Sequence, residues 1–295
     1  MADLHIDALL PQEMAERAEQ IGVRKAGMPF LKMFMLAILA GAFIAFGAIF
    51  STTVGAGSLP VISVADGGVP YSIGMPFGVT RLLSGLAFCL GLILVVIGGA
   101  ELFTGNNLIV MAWASGKVTL GALLRNWVIV YFGNFVGAAG TAVLMFLSKQ
   151  YTFGSGAVGV SALRIGVAKS ELLFLQAIAL GVLCNVLVCM AVWLTFSART
   201  TADKILAIIF PITAFVAAGF EHSIANMYFI PYALFLKYFD PAFISTVQAQ
   251  VSHLDSLTWQ AFFVNNLIPV TIGNILGGTV FVAAAYCAIF LKKTA

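Results

Sequence analysis

The chain has 295 residues, of which 61% are hydrophobic and 9% charged, with a formal net charge of +3. Together with a mean hydropathy of +1.04, this excludes an ordinary soluble domain and describes a polytopic helical membrane protein. Its apolar runs are continuous rather than alternating, which excludes a transmembrane β-barrel, and no Lys/Arg cluster suggests a nucleic-acid partner.

Residues 1–28 are the most polar part of the chain. From Pro11 to Val23, Met14, Ala15, Ala18 and Ile21 alternate with Glu13, Glu16, Arg17 and Glu19, the pattern of an amphipathic helix with proline in its first turn. Such a helix is expected to lie on the membrane surface; a place over a pore mouth is the alternative. The first apolar run begins near Leu31, too late for a signal peptide, so the N-terminus is expected to be retained.

Six apolar spans follow, at about 30–52, 78–114, 119–148, 171–196, 203–237 and 258–291. Each exceeds the roughly 20 residues that cross a bilayer. A loop rich in Gly, Ser and Pro, about 53–77, separates the first two. The second span is interrupted at Glu101–Thr104 and the fifth at 219–223. The channel domain is therefore expected over 29–291, with a short tail at 292–295. Cys89, Cys184, Cys189 and Cys287 all fall in apolar runs without ligand spacing, so they are read as buried packing residues and no metal is expected.

Positive charge sets orientation. Arg17, Arg24, Lys25, Lys32, Lys117, Arg125, Arg199, Lys204, Lys292 and Lys293 fall on the side of the N-terminus. Arg81, Lys149, Arg164, Lys169 and Lys237 fall on the other. Both termini are expected in the cytoplasm.

The chain repeats itself. Asn126-x6-Gly133-Asn134-x2-Gly137 recurs as Asn266-x6-Gly273-Asn274-x2-Gly277, an offset of 140. Ala37-Ile38-x2-Gly41 recurs as Ala177-Ile178-x2-Gly181 at the same offset. Glu101 and Asn106 recur as Glu221 and Asn226 at 120. Three spans per copy is an odd number, so the copies, about 29–148 and 171–291, should cross in opposite directions. Paired interrupted segments in an inverted repeat point to a transport site. Gly41, Gly47, Gly133, Gly137, Gly273, Gly277 and Gly278 are read as sites of close helix packing.

The two breaks carry the chemistry. Gly98-Gly99-Ala100-Glu101-Leu102-Phe103-Thr104 and Gly219-Phe220-Glu221-His222-Ser223 place acids, hydroxyls and an imidazole inside apolar spans. Intramembrane ionisable groups are costly and mark function by default. Each break frees backbone groups and exposes the positive end of the next half-helix, which favours an anion. Thr104 is expected to cap one half-helix, and Ser223 or Glu221 the other. Glu101 and Glu221 are read as structural acids bonding freed amides. His5 and His253 lie in polar segments, so His222 is the one histidine within a span. With an ordinary pKa near 6.5 it exchanges protons at physiological pH, and Thr104, Asn185 and Asn226 are candidate partners. Leu92, Leu102 and Phe103 on one side, and Phe88 and Phe215 on the other, are candidate constrictions that exclude a hydrated ion.

These motifs resemble those of the formate/nitrite transporters, channels for small monovalent anions. The likeness is carried by Gly-Phe-Glu-His-Ser-Ile-Ala-Asn-Met (219–227), Glu-Leu-Phe-Thr (101–104), Asn-Trp-Val-Ile-Val-Tyr-Phe-Gly-Asn (126–134) and Asn-Leu-Ile-Pro-Val-Thr-Ile-Gly-Asn (266–274), the last most like the formate channels. The resemblance implies an all-α, aquaporin-like fold, a homopentamer with one pore per protomer, and no cofactor. By motif, Leu102-Phe103-Thr104 with Leu92 would form the cytoplasmic slit and Phe88 with Phe215 the periplasmic one. His222, Thr104 and Asn185 would form the central site, with Glu101, Glu221 and Asn226 as structural polar groups and Lys169 attracting anions. Gly105-Asn106-Asn107 departs from the best-known formate channels.

The expected function is passage of formate through a bacterial inner membrane, proton-coupled through His222, with a nitrite or hydrosulfide channel of the same family as the alternative and acetate as a further candidate anion. A neutral-solute pore is disfavoured because neither break contains Asn-Pro-Ala, and an ammonium channel because a second intramembrane histidine is lacking. An enzyme using His222 and Glu221 is disfavoured because adjacent helical positions diverge by about 100°.

Overall fold

The computed structural model describes residues 8–56, 61–63, 71–73 and 75–291. The tail 292–295 with Lys292 and Lys293, the segment bearing His5 and much of the loop after the first span lie outside the described residues.

The chain folds as helices. α1 (Pro11–Ala26) precedes α2 (Phe30–Ala56), and α3 (Phe77–Ile97) follows a short antiparallel pairing of β1 (Val61–Ser63) with β2 (Tyr71–Ile73). After the first break come α4 (Phe103–Asn106), a 3₁₀ turn over Asn107–Ile109 and α5 (Val110–Ala114). Next are α6 (Leu120–Leu147), α7 (Ala157–Ser170), α8 (Phe174–Ser197) and α9 (Thr201–Ala218). The second break leads into α10 (Ser223–Phe239) and then α11 (Pro241–Val247). The last span, Ala261–Phe290, contains α12 (Ile268–Leu276) and α13 (Ala285–Phe290) and is π-helical over Ala261–Leu267 and Gly277–Ala284. Among the described residues, six helices are long and apolar enough to cross a membrane.

Local chemistry explains where helices start and stop. Pro11 opens α1, and the Glu13 carboxylate reaches back to the Leu10 N–H at 2.7 Å. Thr119 Oγ1 accepts from Ala122 N at the start of α6, and Thr200 pairs reciprocally with Asp203 at the start of α9. Both breaks begin with a left-handed glycine, Gly99 (φ 71°) and Gly219 (φ 79°), a conformation that other residues adopt only under strain.

The apolar pattern is turned outward. On α6, Leu120, Leu124, Val128, Phe132 and Val136 form an exposed stripe at four-residue spacing, as lipid contact requires. Between the helices the core is apolar and dense around Ile44, Phe88, Leu92, Ile224 and Tyr228. Helices α2 and α6 approach until a Cβ on Gly137 would lie 1.9 Å from the Ile38 carbonyl, so only glycine fits there.

One expectation needs correction. α1 does not lie free on a surface: Met14, Ala15, Ala18 and Gly22 are buried against α5, α8 and the last span, and Glu19 is tied to Lys117. A further helix, α7, forms over residues 157–170, between the third and fourth expected spans. Its alternation of Gly, Ala and Val around Arg164 and Lys169 has too little apolar length for a span, and its helicity comes from packing on α10.

Candidate functional site

The two breaks hold their freed backbone groups in the same way. At the first, Asn134 Oδ1 on α6 accepts from Phe103 N at 2.9 Å, and its Nδ2 donates to the carbonyls of Ala37 (2.7 Å) and Glu101 (2.9 Å). At the second, Asn274 on α12 accepts from Ser223 N and donates to the carbonyls of Gly181 and Glu221, all at 2.9 Å. Glu101 N bonds the Leu36 carbonyl and Glu221 N the Leu180 carbonyl, both at 3.2 Å. A carboxamide supplies one acceptor and two donors, so one asparagine per repeat satisfies the backbone groups freed by each break.

The acids sit one layer out. Glu101 accepts from Lys25 Nζ at 2.8 Å and Asn106 Nδ2 at 2.8 Å; Glu221 accepts from Lys169 Nζ at 2.6 Å and Asn226 Nδ2 at 2.7 Å. Asn106 and Asn226 each also donate to an asparagine of the third span, Asn126 and Asn266, whose Nδ2 atoms bond the backbone carbonyls of Lys25 and Lys169. Both carboxylates are nearly inaccessible, with side-chain exposures of 4% and 6%. A buried carboxylate needs such a partner.

This pairing corrects several expectations. Asn134 caps the first half-helix and Asn274, together with His222, the second, not Thr104 or Glu221, and Ser223 Oγ has no partner. Glu101 and Glu221 bond side chains rather than freed backbone amides. The opening helices correspond at an offset of 144, as Leu36/Leu180, Ala37/Gly181 and Lys25/Lys169 show. The Ala-Ile-x2-Gly match at 140 therefore lies one helical turn out of register. α1, carrying Lys25, and α7, carrying Lys169, are corresponding elements, so each repeat starts one helix earlier than 29 and 171. In the sequence Lys25 stood out only as one of the positive charges on the side of the N-terminus.

Where the breaks meet, Thr104 Oγ1 lies 2.9 Å from His222 Nε2, and both side chains are buried. Residue His222 stands where the other repeat has Leu102. It is also the N-cap of α10: its Nδ1 accepts from Ala225 N at 3.1 Å. An Nδ1 that accepts carries no proton, so the neutral ring holds its proton on Nε2 and presents it to Thr104. The Phe215 ring lies 6.0 Å from that imidazole and meets Phe88 edge-on at 5.5 Å.

Asn185 reaches this centre from behind. Its Nδ2 faces the Thr104 carbonyl at 3.3 Å, Asn107 Oδ1 at 2.8 Å and the Asn274 carbonyl at 2.6 Å. Three surrounding acceptors fix which end of the amide is nitrogen, and Oδ1 is left without a partner. Cys189, one turn on, points its thiol at the same Thr104 carbonyl at 3.4 Å. All four cysteines are free and buried. Asn107, singled out only as a departure, is thus the residue that holds Asn185.

Leu92 and Leu102 line a cavity of about 620 Å³ whose other walls include Arg24, Lys25, Lys32 and Glu101. Thr104 and His222 do not line it. Phe103 does not either: its ring packs against Tyr131 at 4.9 Å and Trp127 at 6.0 Å. Lys169 also lies over the Phe229 ring at 5.5 Å. No cluster of metal-ligating side chains occurs among the described residues.

The model of the formate/nitrite transporter family matches residues 12–288. The formate channel FocA of Escherichia coli strain K12 is 43% identical over 99% of this chain and 98% of its own length. A probable formate transporter of Methanothermobacter thermautotrophicus is 37% identical over 96% and 97%. Among solved structures, a pentameric formate channel with formate bound superposes with a TM-score of 0.77 at 47% identity, covering 89% of this chain and 98% of that one.

Proposed function

The chain belongs to the formate/nitrite transporter family, and from that premise we propose that it carries formate across a bacterial inner membrane, coupled to a proton through His222. The observation that carries this reading is the 2.9 Å contact of His222 with Thr104 at the meeting point of two broken spans. The formate-bound relative supports the solute, and its pentameric state supports five pores in one assembly. The excess of Lys and Arg on one side supports cytoplasmic termini.

Formate is drawn to each vestibule by a lysine, Lys25 or Lys169, and by the positive ends of the half-helices. It then meets an apolar stretch, Leu92 and Leu102 on one side and Phe88 and Phe215 on the other. Desolvating a bare carboxylate there costs far more than desolvating its acid. His222 supplies the proton. In the resting ring Nδ1 is occupied by the Ala225 N–H, so Nε2–H hydrogen-bonds the arriving formate but cannot be released without leaving an imidazolate. Release requires a second proton, taken up from the aqueous vestibule onto Nδ1, and therefore loss of the cap, which costs about 0.5–2 kcal/mol. Nε2 then gives its proton to formate, the neutral acid moves on, and the ring exchanges its Nδ1 proton for one on Nε2 as the cap recloses, so that one proton is consumed per formate. Proton transfer and opening of the α10 cap are one event.

Two substitutions test this in proteoliposomes. His222→Asn keeps a good N-cap acceptor but does not titrate; His222→Ala removes both. The relay predicts that His222→Asn abolishes proton co-movement with formate while preserving thermal stability better than His222→Ala. Formate flux with unaltered proton stoichiometry in His222→Asn would reduce the histidine to a cap.

A further inference from the structure

We infer that Arg81 is the positioning residue of the Phe88–Phe215 constriction, acting through the backbone of α9. The inference rests on the formate reading only for the solutes used in its assay. Arg81 sits in the second turn of α3. Its Nη2 donates to the Val216 carbonyl at 2.5 Å and its Nε to the Ala217 carbonyl at 3.0 Å. These belong to the last turn of α9, where the break leaves both carbonyls without i+4 donors, and the Val216 carbonyl accepts from Gly219 N at 3.1 Å as well. The neighbouring Phe215 carbonyl is held by Phe220 N at 3.0 Å. Three successive carbonyls are thus fixed, two of them by one side chain.

The planar guanidinium fork matters. Two parallel N–H donors bonded to adjacent carbonyls restrain rotation of the last turn about the helix axis, which a point-like ammonium does not. That rotation aims Phe215, immediately upstream, at Phe88 and the His222 ring. The cation also complements the negative end of α9. Gly219 makes room for it: a Cβ there would lie 3.0 Å from Nη2.

The other break offers a control within the same chain. At the 120-residue offset, Phe215 corresponds to Val95 and Arg81 to Thr201. Where no aromatic ring has to be aimed, no arginine holds the turn. Arg81 attracted no notice in the sequence beyond its charge, because its role depends on a contact across more than 130 residues.

The test compares formate and acetate flux through wild-type, Arg81→Gln and Arg81→Lys protein in liposomes at one pH. A loosened Phe215 admits the larger acid, so the acetate-to-formate ratio is expected to rise about fivefold in Arg81→Gln, the equivalent of roughly 1 kcal/mol. Arg81→Lys, which keeps the charge and loses the fork, is expected to rise as well. A wild-type ratio in either variant overturns the assignment, and Arg81→Lys alone decides it if the glutamine variant does not fold. A density map of Arg81→Lys gives a readout independent of transport: a displaced Phe215 ring supports the assignment, and an unmoved ring overturns it. Wild-type protein that passes neither acid refutes the formate reading, and the map then decides Arg81 by itself.

Discussion

Replacing Asn134 by alanine removes one carboxamide and three hydrogen bonds at a residue with no solvent exposure. Phe103 N–H and Glu101 C=O then lose their partners at a broken helix, where no water is at hand. Each orphaned backbone group costs about 1–3 kcal/mol, so the loss is roughly 2–6 kcal/mol for the pair. Asn274→Ala should cost the same, because Asn274 holds Ser223 N–H and Glu221 C=O in the same way. Asn265, next to Asn266 but exposed, serves as the control, with an expected change within about 0.5 kcal/mol. The assay is unfolding of purified protein in mixed micelles with an increasing SDS fraction. If Asn134→Ala and Asn265→Ala unfold at the same SDS fraction, the capping argument is wrong.

Three further outcomes are expected. Lys169→Met leaves the Glu221 carboxylate buried without its cation and should destabilise by about 3–5 kcal/mol; adding Glu221→Gln should recover part of that loss in the same titration, and a double variant no better than the single one contradicts the pairing. Gly137→Ala should separate α2 from α6 and cost about 1–3 kcal/mol or more, whereas Gly140→Ala, with open space around it, should be neutral or stabilising; equal melting temperatures refute this. The Tyr151 hydroxyl donates to Asp240 at 2.5 Å outside the spans. Burial, then the Asp240 contact, raises the Tyr151 pKa to about 12, and the same hydrogen bond lowers that of Asp240. The Asp240 contribution to stability is present above its unfolded value near 4 and is lost as pH falls through the lower folded value. The Tyr151 contribution is present below its unfolded value near 10 and is lost between there and about 12. Phe substituted for Tyr151 should flatten both limbs of a melting-temperature profile, and an unchanged profile counts against the pair.

Spans and breaks were legible in the sequence because hydrophobic length and intramembrane polar residues are local signals. Asn126, Asn134, Asn266 and Asn274 were visible as a repeat, but the job of Asn134 and Asn274 as caps was not: each bonds a backbone more than 30 residues away, and a cap is ordinarily sought next to its helix. Thr104 and Ser223 satisfied that local rule, but Thr104 Oγ1 meets His222 and Ser223 Oγ meets no partner. α7 was missed because its 14 residues are too mixed for a span and too apolar for an evident surface helix. Its partner α1 was read as amphipathic, yet the target of its apolar face, protein rather than lipid, depended on tertiary contacts. Phe103 fell on the expected loop, but aromatic neighbours on α6 drew its ring away from the cavity.

The proposed path of formate runs through the junction that Thr104 and His222 form. Its most direct test is formate efflux from liposomes carrying the purified protein, measured beside Thr104→Val, which keeps the shape of the side chain and deletes its oxygen. Fast efflux is expected through the wild type and about tenfold slower efflux through the variant, the effect of one lost buried hydrogen bond. Efflux no faster than from empty liposomes, or equal in both proteins, contradicts that path.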